Sequence, residues 1–125
     1  MSNEENLSAV TNAELAERVI AYSLKQFEVQ YDEDHVEAYT KLYHAIHEIY
    51  DALRARGVEA RRALLPLLEH KNAQVQLNAA SELRDIEPAR ARVAYEYVAK
   101  WGPLDQAGPA RMALDWLDKH PDNTG

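Results

Sequence analysis

Four side chains near the middle of the sequence, His44, His47, Glu48 and Asp51, come nearest in type and spacing to a chemical site. On a helix His44 shares a face with Glu48 and His47 with Asp51, a spacing of four that could supply nitrogen and oxygen ligands to one metal ion. A metal-dependent enzyme centred on this helix is one reading. The other is a solvated helix face, since the same spacing gives ordinary exposed pairs and the sequence does not place His35 or His70 to complete a ligand set. Nothing else points to catalysis. Ser8, Ser23 and Ser81 lack a nucleophile-elbow context, and Asp32 and Asp34 fall in a predicted exposed turn. There is no cysteine, and none of the four glycines begins a phosphate loop. The expectation is a protein that is not an enzyme, with no metal and no cofactor.

The elements that carry these residues are helical. Only four Gly and five Pro occur in 125 residues, and Ala, Leu, Glu and Arg are abundant, which favours an all-α domain with room for a core. The expected organisation is a disordered N-terminus over 1–10, one helical domain over 11–120 and a disordered tail over 121–125. Thr11 and Glu14 form a capping box that starts a helix running to about residue 30, with Leu15, Val19, Tyr22 and Phe27 inside. Asp32, Glu33 and Asp34 then favour the start of a second helix through its dipole. That helix carries Val36, Tyr39, Tyr43, Ile46, Tyr50 and Leu53 at spacings of three and four and ends at Gly57. The tyrosines are expected to pack inward with their hydroxyls at the edge.

A third helix is expected over 58–70, bent at Pro66. Asn72 caps a fourth, with Val75, Ala79, Ala80, Leu83 and Ile86 as a narrow apolar face. Pro88 opens a fifth, which carries Val93, Tyr97, Val98 and Trp101 and stops at Gly102 and Pro103. Gly108 and Pro109 interrupt the pattern after it, so a sixth helix is expected to start only at Pro109, with Ala113, Leu114, Trp116 and Leu117 on its apolar side.

The net charge of −7 is concentrated at one end: residues 1–37 hold nine acids against Arg18 and Lys25, while the rest holds twelve charges of each sign. Binding nucleic acid needs Lys and Arg to displace counterions from phosphates, so nucleic acid is not the expected partner. A basic protein surface suits the field better. The N-terminus has no basic start and no apolar h-region, and no run of about 18 apolar residues occurs, so a cytoplasmic protein without membrane contact is expected.

The stretch LLPLLEHKNAQVQLNAASEL at 64–83 reads as helix, polar turn, helix. It resembles a HEAT repeat, whose second helix commonly reads V-R-x-x-A-A-x-x-L: Val75, Ala79, Ala80 and Leu83 stand in that register, Gln76 replaces the usual Arg, and Pro66 sits where the first helix often has a proline. The resemblance implies a right-handed stack of about three helical hairpins, an α-solenoid of HEAT-like or armadillo-like form. HEAT-like di-iron hydroxylases repeat His-Glu pairs on several helices, and this chain has one such pair, His47 with Glu48. A HEAT-like DNA glycosylase is opposed by the lack of a basic face.

The combination RRALLPLLEH at 61–70, NAQVQLNAA at 72–80 and QAGPARMALDWL at 106–117 is similar to a small bacterial family known as a domain of unknown function, number 2019, over residues 7–120. It implies the helical fold and supplies no activity and no site residue. In HEAT-like stacks the second helix of each hairpin lines the concave face. By that analogy Lys41, His44 and Glu48 stand beside Gln74, Asn78 and Asp85, followed by Arg111 and Asp115. On composition, the acidic run at 28–37 reads either as a solvated turn at the start of the second helix or, through Glu33 and Asp34, as the landing site for a basic partner with Tyr31 as its aromatic contact. The leading functional expectation is a protein-interaction module, and its sharper form an immunity or inhibitor protein that masks a basic toxin or enzyme. The sequence leaves the oligomeric state open.

Overall fold

A computed structural model describes residues 7–121. Every regular element among the described residues is a helix, and the chain divides into two compact units, Met1–Ala63 and Leu64–Gly125. The expected frayed end falls partly outside the described residues, as does nearly all of the tail. Where the start is described, Leu7–Ala9 forms a single 3-10 turn.

In the first unit, α1 (Asn12–Val29) and α2 (His35–Arg56) form an antiparallel hairpin, and the short α3 (Val58–Arg61) folds against α2. The Thr11 hydroxyl accepts from the Glu14 amide at 3.1 Å and the Glu14 carboxylate accepts from the Thr11 amide at 3.0 Å, so two of the free donors at the start of α1 are satisfied reciprocally. Leu15, Ala16, Val19 and Val29 of α1 meet a core that includes Ile46, Ile49, Tyr50 and Leu53 of α2. Tyr22 and Phe27 are only half-buried, and the inward positions beside them belong to Ser23 and Gln26. Arg56 fastens the far end of the hairpin, its guanidinium donating to Asn12 Oδ1 at 2.8 Å and to the Leu7 carbonyl at 2.7 Å. Gly57, with φ of 115°, allows the sharp exit from α2 that a side chain would strain.

The helix expected over 58–70 is not a bent α-helix. Its α-helical part ends at Arg61, and a 3-10 helix runs over Arg62–Glu69. Pro66 has no amide hydrogen to close an α-turn onto Arg62, and its ring crowds that carbonyl, so the chain winds more tightly on both sides of it.

In the second unit, α4 (Ala73–Leu83), α5 (Pro88–Trp101) and α6 (Leu104–Lys119) pack in succession, and α4 also reaches α6. Asn72 caps α4 as expected, its amide oxygen accepting from the Gln74 and Val75 amides at 2.9 and 3.3 Å. Val75, Ala79, Ala80 and Leu83 are fully buried. The apolar stripe of α5 differs from the expected one: Ala91, Ala94, Tyr95 and Val98 face inward, while Val93, Tyr97 and Trp101 are exposed. Two alanines on the inner face let neighbouring helices approach closely, and the larger residues are left outside.

α6 starts five residues earlier than expected, at Leu104, and runs through Gly108 and Pro109. Pro103 precedes it, with its carbonyl accepting from the Gln106 and Ala107 amides at 3.0 and 2.7 Å. Pro109 costs the helix the hydrogen bond onto the Asp105 carbonyl. Burial of Gln106, Ala107 and Ala110, on both sides of that break, keeps the segment helical by tertiary packing.

Candidate functional site

In the first unit the sequence-predicted residues are all exposed. Lys41, His44 and Glu48, spaced three and four apart, form an exposed line along α2. Glu33 and Asp34 stand exposed at the N-terminal end of that helix. At 1.5 Å per residue the strip from Asp34 to Glu48 is about 21 Å long. Lys41 pairs with Glu37 at 3.7 Å, between side chains that are both largely in solvent, so the strip remains net acidic at its start.

In the turn between α1 and α2 the acids stand beside the start of the second helix, as expected. Asp34 occupies the N-cap position of α2 without a side-chain hydrogen bond to the helix, and the bond made there instead runs from His35 Nδ1 to the Asp32 carbonyl at 2.9 Å. Asp34 and Glu33 form no ion pair among the described residues. What remains to them structurally is proximity to the positive end of the helix dipole, worth roughly 0.3–1 kcal/mol each at an exposed site. Tyr31 and Val36, on either side of these carboxylates, are 75% and 67% exposed. The apolar stripe of α2 is thus buried only in its second half, from Ile46 to Leu53, and Tyr43 is 48% exposed where packing was expected.

His44 and His47 of α2 are held in ring contacts. Tyr43 and His47 lie 4.2 Å apart, His47 meets Tyr50 edge-on at 5.4 Å, and His44 meets Tyr43 edge-on at 5.6 Å. Among the described residues no three His, Asp or Glu side chains are gathered in a way that could hold a metal ion.

The second unit brings together less of what was expected. Gln74 is buried, where an exposed contact was expected: its amide donates to Asn78 Oδ1 at 3.1 Å, and its oxygen accepts from Gln106 Nε2 at 3.2 Å. The polar side of α4 therefore faces α6 instead of opening to a partner. Asn78 is half-buried, and Asp85 is exposed just beyond the end of α4. Arg111 and Asp115 are exposed on α6, with Arg111 donating to the Ala99 carbonyl at 3.0 Å and Asp115 paired with Lys119 at 3.0 Å.

Two arrangements in this unit lie outside the expected residues. Tyr95 is buried beside Ser81 and Arg84; burial raises its pKa above the usual tyrosine value, against the opposing effects of the Arg84 charge and of hydrogen bonds from both neighbours. Trp116 stacks on His120 with ring centres 4.2 Å apart and has the Arg84 guanidinium 4.8 Å from its own. The spacing of Trp116 and His120, four apart on a helix, was the available signal for that stack.

These features define an all-helical protein with an acidic helix entrance on one unit and an aromatic, charged helix face on the other. The sequence profile of the family described as a domain of unknown function (DUF2019) matches residues 13–118, and the chain belongs to that family. It is similar to the protein RPA1889 from Rhodopseudomonas palustris CGA009, whose crystal structure superposes with a TM-score of 0.86 at 31% identity, covering 94% of this chain and 96% of that one. Comparison with curated proteins gives no match. No helix among the described residues is long and apolar enough to cross a membrane.

Proposed function

We propose that this chain is a non-enzymatic interaction module that holds a basic protein through the acidic entrance of α2, and that it works in the bacterial cytoplasm as an inhibitor or immunity-type protein. The observation that carries this reading is the state of Glu33 and Asp34. Both carboxylates are exposed, neither forms an ion pair among the described residues, and Asp34 does not cap the helix it precedes. Tyr31 and Val36 supply exposed apolar area beside them, so a Lys or Arg of the partner would meet charge and contact area together. Lys41, His44 and Glu48 extend the surface along α2 with groups that can orient a partner by hydrogen bonds. The HEAT-like reading belongs to the same proposal and is supported by the full burial of Val75, Ala79, Ala80 and Leu83 in the register of that repeat.

The test is parallel capture from native cells with the wild-type protein and with a double variant, Glu33→Lys and Asp34→Lys. A protein retained by the wild type and lost by the variant, with both folded by circular dichroism, supports the reading. Equal retention by both would remove these carboxylates from the binding surface.

A further inference from the structure

The outer face of α6 is organised around a glycine that the protein's own packing does not require. Gly108 lies within the helix, and a Cβ added there meets no atom within 4 Å beyond its chain neighbours and the helix's own backbone. Glycine weakens a helix interior relative to alanine, so its presence with open space above it points to close approach by something outside the chain. One turn before and one turn after it stand Leu104, 84% exposed, and Met112, 74% exposed. Asp105 and Arg111 flank the same face and are both exposed, and Asp105 forms no ion pair among the described residues.

We infer that a second copy of this chain covers this face, the two α6 helices crossing antiparallel about a two-fold axis at Gly108. In such a crossing the residue k positions after Gly108 faces the residue k positions before it on the other copy. Leu104 then meets the partner's Met112, and Asp105 meets the partner's Arg111, each contact made twice. The identities at these positions are complementary in both polarity and charge, which selects a second copy over an unrelated partner. Gly108 against the partner's Gly108 lets the backbones come close enough for these side chains to engage. An open cleft of about 520 Å³, lined by Arg111, Met112, Asp115, Trp116 and Lys119, lies where the partner's Leu104 reaches. Trp116, held by its contacts with His120 and Arg84, gives that cleft a firm wall. Arg111 and Asp115 serve this self-contact, so it stands apart from the acidic surface of α2.

Sedimentation velocity over a concentration series tests the pairing. The wild type is expected to dimerise, and Asp105→Arg or Arg111→Asp alone to raise the dissociation midpoint by about tenfold or more, because each reversal sets like charges together twice. The double variant, Asp105→Arg with Arg111→Asp, is expected to restore the dimer. A wild type that stays monomeric, single reversals that leave the dimer intact, or a folded double variant that stays monomeric would each overturn the inference. A second variant guards against misfolding of the charge reversals. The chain has no cysteine, so Gly108→Cys introduces a single thiol, placed on the proposed axis. Mild oxidation should link Gly108→Cys into a covalent dimer and leave Ala89→Cys unlinked. Absence of linkage at Gly108→Cys, or equal linkage at both positions, would also overturn the inference.

Discussion

Gly108 and Gly102 should respond in opposite directions to substitution by alanine. Gly108 has an ordinary helical backbone and open space where a Cβ would lie, so Gly108→Ala removes backbone freedom from the unfolded chain without a clash. The expected gain is about 0.5–1 kcal/mol. With an unfolding entropy of about 2.1 cal/mol/K per residue, that gain raises the melting temperature of a chain this long by about 2–4 °C. Gly102 has φ of −77° and ψ of 165°, which any residue can adopt, so its backbone angles do not require glycine. A Cβ there would instead lie 2.7 Å from the Val98 carbonyl oxygen and 3.0 Å from Val98 Cγ1. That oxygen accepts the Gly102 amide at 2.8 Å, so relieving the clash opens the closing turn of α5. Gly102→Ala should cost about 1–3 kcal/mol, lowering the melting temperature by about 4–11 °C. Thermal unfolding followed by circular dichroism at sub-micromolar protein, where self-association is minimal, reads both. A loss of stability in Gly108→Ala at that concentration, or a neutral Gly102→Ala, would contradict the open space at Gly108 or the close approach of Val98 to Gly102.

Thr11→Ala should destabilise the protein by about 1 kcal/mol through loss of the α1 cap, measurable by urea denaturation. The Glu14 carboxyl, held below its usual range first by the Thr11 backbone amide and then by its hydroxyl, should move toward that range in the variant. Because its folded pKa is depressed, the stability Glu14 contributes is present above its unfolded pKa and lost as pH falls through the folded value; NMR titration of the wild type and Thr11→Ala checks both shifts. Tyr95 has the opposite sign: its folded pKa is raised by burial, so its contribution is full below about pH 10, the ordinary tyrosine value, and is lost as pH rises through the folded one. One of the seven tyrosines should ionise late in an absorbance titration, and Tyr95→Phe should remove that late step. Leu83→Ala, at a fully buried position, should cost about 2–5 kcal/mol in the same denaturation assay.

Much of the fold was legible because it rests on local rules. The Thr11 and Glu14 box, the Asn72 cap, Pro88 at the start of α5 and the α4 register all act within a turn or two of the chain. The misreadings share a cause in packing between helices. Gly108 and Pro109 read as a break, yet burial of Gln106, Ala107 and Ala110 carries the helix through them. On α5 the spacing of the larger residues Val93, Tyr97 and Trp101 suggests an apolar stripe, yet Ala91 and Ala94, which allow close helix contacts, form the inner face. Gln74 read as an open polar position, and only the return of α6 to α4 buries it against Gln106. Among the candidate site residues, the exposure of Glu33, Asp34, Lys41, His44 and Glu48 was legible because one helix and the turn before it carry them. The set drawn from α4 and α6 depended on tertiary placement, which spacing along the chain does not encode.

The most direct test of the interaction reading is affinity capture of the tagged protein from its native cells at low and at moderate salt, with mass spectrometry of what is retained. An acidic surface that holds a basic protein should retain one dominant basic partner in stoichiometric amount at low salt and release it as salt rises and screens the charges. Recovery of the protein without a bound partner at both salts, or a partner whose retention is indifferent to salt, would contradict that reading.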